Sequence, residues 1–143
     1  MVYSLVPNAN NTVGSDLTAM YDNFVALESA QIVDSGSTAD GDYWRFEDGL
    51  QICTNFINDF LLETNDLKGG IYRSSVIAWN FPMAFNSQSE IYFNVNFSTT
   101  SSGQWVGVSY PKSNTEGTWQ GYSNQSASQN QGSVVYFAIG RWK

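Results

Sequence analysis

Four aromatic side chains, Trp105, Tyr110, Trp119 and Tyr122, flank or sit within polar stretches late in the chain. A flat aromatic face can stack on the C–H face of a sugar ring, while neighbouring Asn, Gln and Ser hydrogen-bond its hydroxyls. The same rings equally suit a core or a subunit interface, where buried aromatics dominate the energetics. Trp105 reads as core or interface. Trp119 and Tyr122 are the only large side chains of a Ser/Asn/Gln/Thr/Gly-biased stretch, 112–132, which reads as a long hairpin or a flexible loop. Such a stretch offers little core, so these two rings are expected to be exposed and to bind.

Asp34, Asp40, Asp42, Glu47 and Asp48 form a local acidic set. Hard carboxylate oxygens could hold Ca²⁺, but the Asp-x-[Asp/Asn]-x-[Asp/Asn]-Gly loop is absent, so a turn-and-hairpin role is expected, with no metal and no cofactor. A glycosidase pair would have to flank a cleft at a set separation, and no motif marks one. The chain contains no histidine, which removes Ser-His-Asp and Cys-His nucleophile systems. No enzymatic activity is expected. Cys53 is the single cysteine, so no intrachain disulfide can form, and it reads as a small buried hydrophobe. Arg45 and Arg141 lie in buried-looking strands and should each meet a carboxylate or backbone carbonyls, because a lone buried guanidinium is costly.

The chain has 143 residues, enough for one domain with a core, and six Lys+Arg against thirteen Asp+Glu give a net charge of −7. That charge repels a polyphosphate, so no nucleic-acid partner is expected. Charged residues make up 13% and aromatics 15%, with Asn, Gln, Ser, Thr and Gly supplying the polarity. This composition suits neutral polar partners and sheets packed on other chains. The first eight residues lack the basic region and apolar run of a signal peptide, and no segment is apolar and long enough for insertion into a membrane.

The elements that must position these residues are mostly strands. Asp40 to Cys53 reads as a β-hairpin, Tyr43–Phe46 against Leu50–Cys53, turned by Asp48-Gly49. Alternation places Trp44 and Phe46 on one face with Leu50, Ile52 and, in a suitable register, Phe56; later strands are expected to pack on that face. Ile32 to Gly36 reads as a short strand, Ser35 to Asp42 as a loop, and the second hairpin arm as running to Ile57. Residues 58–70 are ambiguous between strand and a helical turn. Ile71 to Phe85 resumes strand character until Pro82 ends it. Ile91, Phe93, Val95 and Phe97 alternate with Tyr92, Asn94, Asn96 and Ser98 in the cleanest strand of the chain. Gln104 to Tyr110 is a strand stopped by Pro111. The last strand, Ser133 to Trp142, is apolar on both faces, so a second subunit is expected to cover one of them. Gly140 within it marks close backbone approach or a bulge.

Upstream, residues 1–14 read as an extended arm and Ser15 to Ala30 as the one helix, capped by Ser15 with Asp16 at its positive end. Val13, Leu17, Met20, Phe24 and Leu27 are spaced four, three, four, three. This short heptad seam suits either self-association along the chain axis or packing on the helix's own domain.

Three separated segments together resemble tailed-phage fibre and receptor-binding proteins. The first is Asp40-Gly41 through Tyr43, Trp44, Arg45, Phe46, Asp48-Gly49, Gln51 and Cys53. The second is Trp79, Phe81, Pro82 and Phe85, and the third runs from Ala138 to Trp142. The chain departs from that pattern at Thr54-Asn55, where the family often has Trp or Tyr, and in its short N-terminal region. The resemblance implies an antiparallel β-sandwich tip similar to H-type lectins, assembled as a homotrimer, located in the virion tail and binding a host-surface saccharide. It implies fold and role; no sugar-binding signature carries over. Residues 1–30 are then the arm and helix for trimerisation and attachment to other tail proteins, and residues 31–143 the receptor-binding β-sandwich. The alternatives are a structural baseplate or hub subunit whose aromatics all serve interfaces, and a capsule-degrading enzyme.

Overall fold

The computed structural model describes residues 17–23, 31–99 and 103–143. Residues 17–23 are helical. Among the described residues ten strands follow: β1 (Ile32–Thr38), β2 (Gly41–Phe46), β3 (Leu50–Thr64), β4 (Asp66–Lys68), β5 (Ile71–Arg73), β6 (Ile77–Asn80), β7 (Tyr92–Thr99), β8 (Gln104–Pro111), β9 (Glu116–Ser123) and β10 (Ala127–Arg141). All pairings are antiparallel. Sheet A has the order β1-β2-β3-β10-β7. In sheet B, β9 pairs β8 on one side and the successive strands β5 and β6 on the other, with β4 beside β5. The two sheets form an antiparallel β-sandwich, as the hydrophobic alternation anticipates.

The core between the sheets is aromatic. Trp79 of sheet B stacks on Tyr136 and Phe93 of sheet A, with ring centroids 4.9 and 5.9 Å away. Phe81 meets it edge-on at 5.3 Å. Leu62, Phe85, Ile91, Val95, Phe97, Trp119, Val134 and Ala138 complete the buried cluster. Each buried Val, Leu, Ile or Phe among them contributes about 1.5–3 kcal/mol by leaving water. The alternation read in β7 holds residue for residue: Ile91, Phe93, Val95 and Phe97 are buried, and Tyr92, Asn94, Asn96 and Ser98 are exposed. Cys53 is buried as expected.

The 40–53 hairpin forms, with Trp44 opposite Ile52 and Arg45 opposite Gln51. Its faces are the reverse of the expected ones. Gln51 and Cys53 point to the core, with Tyr43 packed beside them, whereas Trp44, Phe46, Leu50 and Ile52 lie half-buried on the outer face. Buried polar groups explain the reversal, because Gln51 is fully satisfied. Its Oε1 accepts from Arg45 Nε at 2.7 Å, and its Nε2 donates to the Met83 carbonyl at 2.8 Å. The Ser35–Asp42 loop is also corrected: β1 runs to Thr38, and only residues 39–40 turn. Strand β3 continues past Ile57 to Thr64, which settles the ambiguous 58–70 segment as strand β3, strand β4 and a Gly69-Gly70 turn.

Hydrogen bonds clasp together the three segments that carry the family resemblance. Arg45 Nη2 donates to the Ala84 carbonyl, and Trp79 Nε1 donates to the Asp40 carbonyl at 2.8 Å. Trp142 Nε1 donates to the Phe46 carbonyl at 3.0 Å, and Arg141 Nη2 donates to the Asp48 carbonyl. Both arginines are thus structural, as expected. Gly140 is a point of close approach: a Cβ there would lie 2.9 Å from the Glu90 carbonyl and 3.0 Å from Phe85.

Candidate functional site

The 112–132 stretch is neither a long loop nor a lone hairpin. Residues 113–115 make a tight turn, and β9 runs through the middle of sheet B with ladder partners on both sides. Trp119 is therefore a core residue, 1% exposed, with its Nε1 donating to Tyr136 Oη at 3.1 Å. The expectation that it stands exposed in a loop is corrected. A central strand sends every second side chain inward, and Trp119 occupies such a position. Trp105, read as core or interface, is 42% exposed, and Tyr110 is 50% exposed.

Ladder register places the other three aromatics on one outer face of sheet B. Trp105 pairs with Tyr122, and Tyr122 with Arg73, which pairs in turn with Asp66. The next levels hold Val108 opposite Gln120, then Tyr110 opposite Thr118 and Ala78. The Trp105 and Tyr122 rings are nearly parallel, 19° apart with centroids at 6.5 Å, so they are offset rather than face to face. Tyr122 lies against Gly107, where a Cβ would fall 1.9 Å from its Cδ2. Only glycine admits the ring there.

Two backbone irregularities flank β9 at the same level. On the β8 side the register shifts between Val106 and Val108, leaving Gly107 as the extra residue. On the opposite side, Ser74 pairs with Gly121 through its backbone N–H, while Ile77 already faces Trp119. Ser75 and Val76 therefore span the single residue Gln120. Bulges break the flat pleat and re-aim side chains, and they concentrate beside functional sites. Gln120 uses the gap: its Nε2 donates to the Ser74 carbonyl at 2.9 Å. A shallow depression opens here, lined by Val76, Val108, Tyr110, Trp119 and Gln120. Thr118 Oγ1, on the same side of β9, is buried without a hydrogen-bond partner.

Charge lies at the two ends of this face. At one end Arg73 Nε reaches the Asp66 carboxylate at 2.6 Å, with Lys68 Nζ 3.9 Å from the same group. The Arg73 hydrogen bond holds the Asp66 carboxyl below the usual range. At the other end Lys112 Nζ meets Glu116 at 2.8 Å, which raises the lysine pKa. Gln120, Arg73, Val76, Val108 and Gly107 belong to the face but escape a sequence reading, because register and bulges, not spacing, bring them beside the aromatics.

The acidic set serves the turns, as expected. Asp34 approaches Arg45 at 3.7 Å, Asp42 accepts from Ser37 Oγ, Glu47 approaches Lys143 at 3.6 Å, and Asp48 Oδ1 accepts from the Leu50 N–H. Among the described residues, no three His, Cys, Asp or Glu side chains gather as a metal site.

A second surface lies on the outside of sheet A. The row Tyr92–Ile139–Ile52–Trp44 crosses four strands, and Val135 stands opposite Phe56 two levels away, beyond the Phe137–Thr54 pair. Tyr92 is 62% and Phe56 58% exposed. The inner and outer sets of β10 divide as expected, with Val134, Tyr136 and Ala138 buried, Phe137 and Ile139 half-buried, and Val135 exposed. Of the heptad seam, Leu17 and Met20 are exposed in the helical segment; Val13, Phe24 and Leu27 lie outside the described residues.

The fold and its two outer faces define an antiparallel β-sandwich with an aromatic platform. The structure is similar to the C-terminal fragment of the P. aeruginosa R1 pyocin fiber, with a TM-score of 0.52 and 17% identity. The match covers 98% of this chain and 40% of that one. No family model matches the chain, and no curated protein matches it.

Proposed function

We propose that the chain is the host-binding tip of a phage-tail fibre, which binds a cell-surface saccharide without catalysis. The outer face of sheet B carries this reading. Trp105 and Tyr122 offer near-parallel rings beside the amide of Gln120 and the phenol of Tyr110. Flat rings flanked by hydrogen-bonding groups fit the alternating C–H faces and hydroxyls of a sugar. The fibre fold of the similar structure and the three-segment resemblance support placing the protein in a virion tail. In this reading residues 1–30 attach the β-domain to other tail proteins and carry the trimer stem.

Adsorption is the test. The purified protein should bind host cells, compete with the phage for them, and lose both properties on Trp105→Ala. No binding to any host surface would sink the proposal. The apolar row on the outer face of sheet A favours a second reading, a hub subunit buried among other tail proteins. Cryo-electron microscopy of the virion separates the two, since a free distal domain fits only the first.

A further inference from the structure

We propose that the saccharide taken by the outer face of sheet B is neutral: an uncharged pyranoside, seated on Trp105 and Tyr122 and hydrogen-bonded by Gln120. The inference rests on the saccharide reading above and narrows its ligand class. It follows from how charge and shape are distributed on that face. The centre of the face, formed by Trp105, Tyr122, Val76, Val108, Gln120, Tyr110 and Thr118, has no ionisable group other than the tyrosine phenols. Its cations are both paired with carboxylates: Arg73, beside Tyr122 in the ladder, through Nε with Asp66 at 2.6 Å, and Lys112, at the far end, with Glu116 at 2.8 Å. A sugar carboxylate or sulfate would need a free guanidinium or ammonium within hydrogen-bond reach. An anion on the Arg73 guanidinium would have to sit beside the Asp66 carboxylate that already holds its Nε. The whole chain, at −7, adds a repulsive field for any polyanionic glycan.

Shape points the same way. The bulges at Gly107 and at Ser75-Val76 break the sheet on both sides of Gln120 and leave a depression at that level. Next to it, Gly107 lets the Tyr122 ring lie down beside Trp105. A ring with one apolar face can rest on the aromatics while an edge hydroxyl reaches the depression and the Gln120 amide, whose Oε1 remains available as an acceptor beside its committed Nε2.

The test uses the full chain against two panels of purified oligosaccharides, one ending in neutral hexoses or N-acetylhexosamines and one ending in uronic or sialic acid. Neutral members should bind, with affinity changing less than about twofold between low and high salt, because no ion pair forms. Trp105→Ala and Tyr122→Ala should each weaken binding roughly tenfold or more, with melting temperature as the folding control. The double change Arg73→Gln, Asp66→Asn should leave affinity within about threefold, as the pair is exposed and not used. Preferential, salt-sensitive binding of the acidic panel, lost on Arg73→Gln, would overturn the neutral assignment yet leave the saccharide reading standing. Binding of neither panel, with host-cell adsorption also absent, would overturn both.

Discussion

At the scale of single residues, two small residues set sharp expectations. Gly107 makes room for the Tyr122 ring, which would lie 1.9 Å from an added Cβ. Gly107→Ala must push the ring off its place, with a destabilisation of about 1–3 kcal/mol typical of overpacking. It should also misalign Trp105 and Tyr122, so ligand affinity falls further than a loss of stability alone explains. Thermal melting and a binding titration on the same variant separate the two effects. Cys53 is the second case. Burial pushes its thiol up to about 11, with the Met83 carbonyl, Gln51 and Arg45 opposing in part. The neutral thiol should resist a disulfide reagent in the native protein and react with one equivalent once denatured. The folded pKa lies above the ordinary thiol value of 9.0, so the unfolded chain gives up this proton first as pH rises. The linked stability is complete below about pH 9 and is lost as pH climbs through about 11. Denaturant midpoints that stay level across that range would contradict the burial-driven shift.

At the scale of elements, the clasp is where the local code and the tertiary structure agree. Gln51 is buried between Arg45 and the Met83 carbonyl, so Gln51→Leu leaves a guanidinium N–H without that acceptor and the carbonyl with only the weak Cys53 thiol donor at 3.7 Å. A loss of about 2–4 kcal/mol is expected from the two under-satisfied groups, read as a lower urea midpoint at unchanged slope. A shift below half that range would mean that water replaces the amide. The segments that made the fold legible in sequence are these same clasp residues, which explains why the resemblance marked the architecture and not the site. Strands with one wet and one dry face, such as β7, were readable because period two survives along them. Strand β3 was not, since an extra residue near Asp59, which sits at φ 57, shifts the pairing between Ile57 and Phe60. Before it Cys53 and Ile57 face the core, and after it Phe60 and Leu62 do, so no single period fits. The hairpin faces misled because polar Arg45 and Gln51 hold the inner positions. Trp119 misled because the Thr, Gly, Gln and Ser around it, which look like loop, belong to a strand flanked on both sides. The site escaped for a related reason: Gln120 and Tyr122 meet Val76, Arg73 and Trp105 only through the pairing of β9 with three other strands.

At the scale of the whole molecule, the two sheets present opposite surfaces. The outside of sheet B mixes rings, an amide and closed ion pairs, and the outside of sheet A is an apolar row from Tyr92 to Trp44 with Val135 and Phe56 beside it. Exposed Tyr92, Val135 and Phe56 around a half-buried apolar row that crosses four strands are an interaction surface rather than scattered exposure. Leu17 at 59% and Met20 at 44% exposure add apolar surface on the helical segment. We expect both to be covered by copies of the same chain around a three-fold axis, with the helices parallel along it. Closed cyclic symmetry buries self-complementary apolar surface without leaving a patch that recruits further copies. The Met and Phe at the seam do not by themselves choose three strands over two, so the number must be measured. Light scattering should give about three times the 15.9 kDa chain mass. Tyr92→Asp with Val135→Asp changes only exposed positions on the sheet A face, so the fold should persist while the assembly dissociates, since charge buried at an interface without a partner is costly. Leu17→Asp with Phe24→Asp should loosen the stem and leave the β-domain's melting transition in place. A wild-type monomer at micromolar concentration, or a double Asp variant on the sheet A face that keeps the wild-type mass, would remove the shared-surface account of β10.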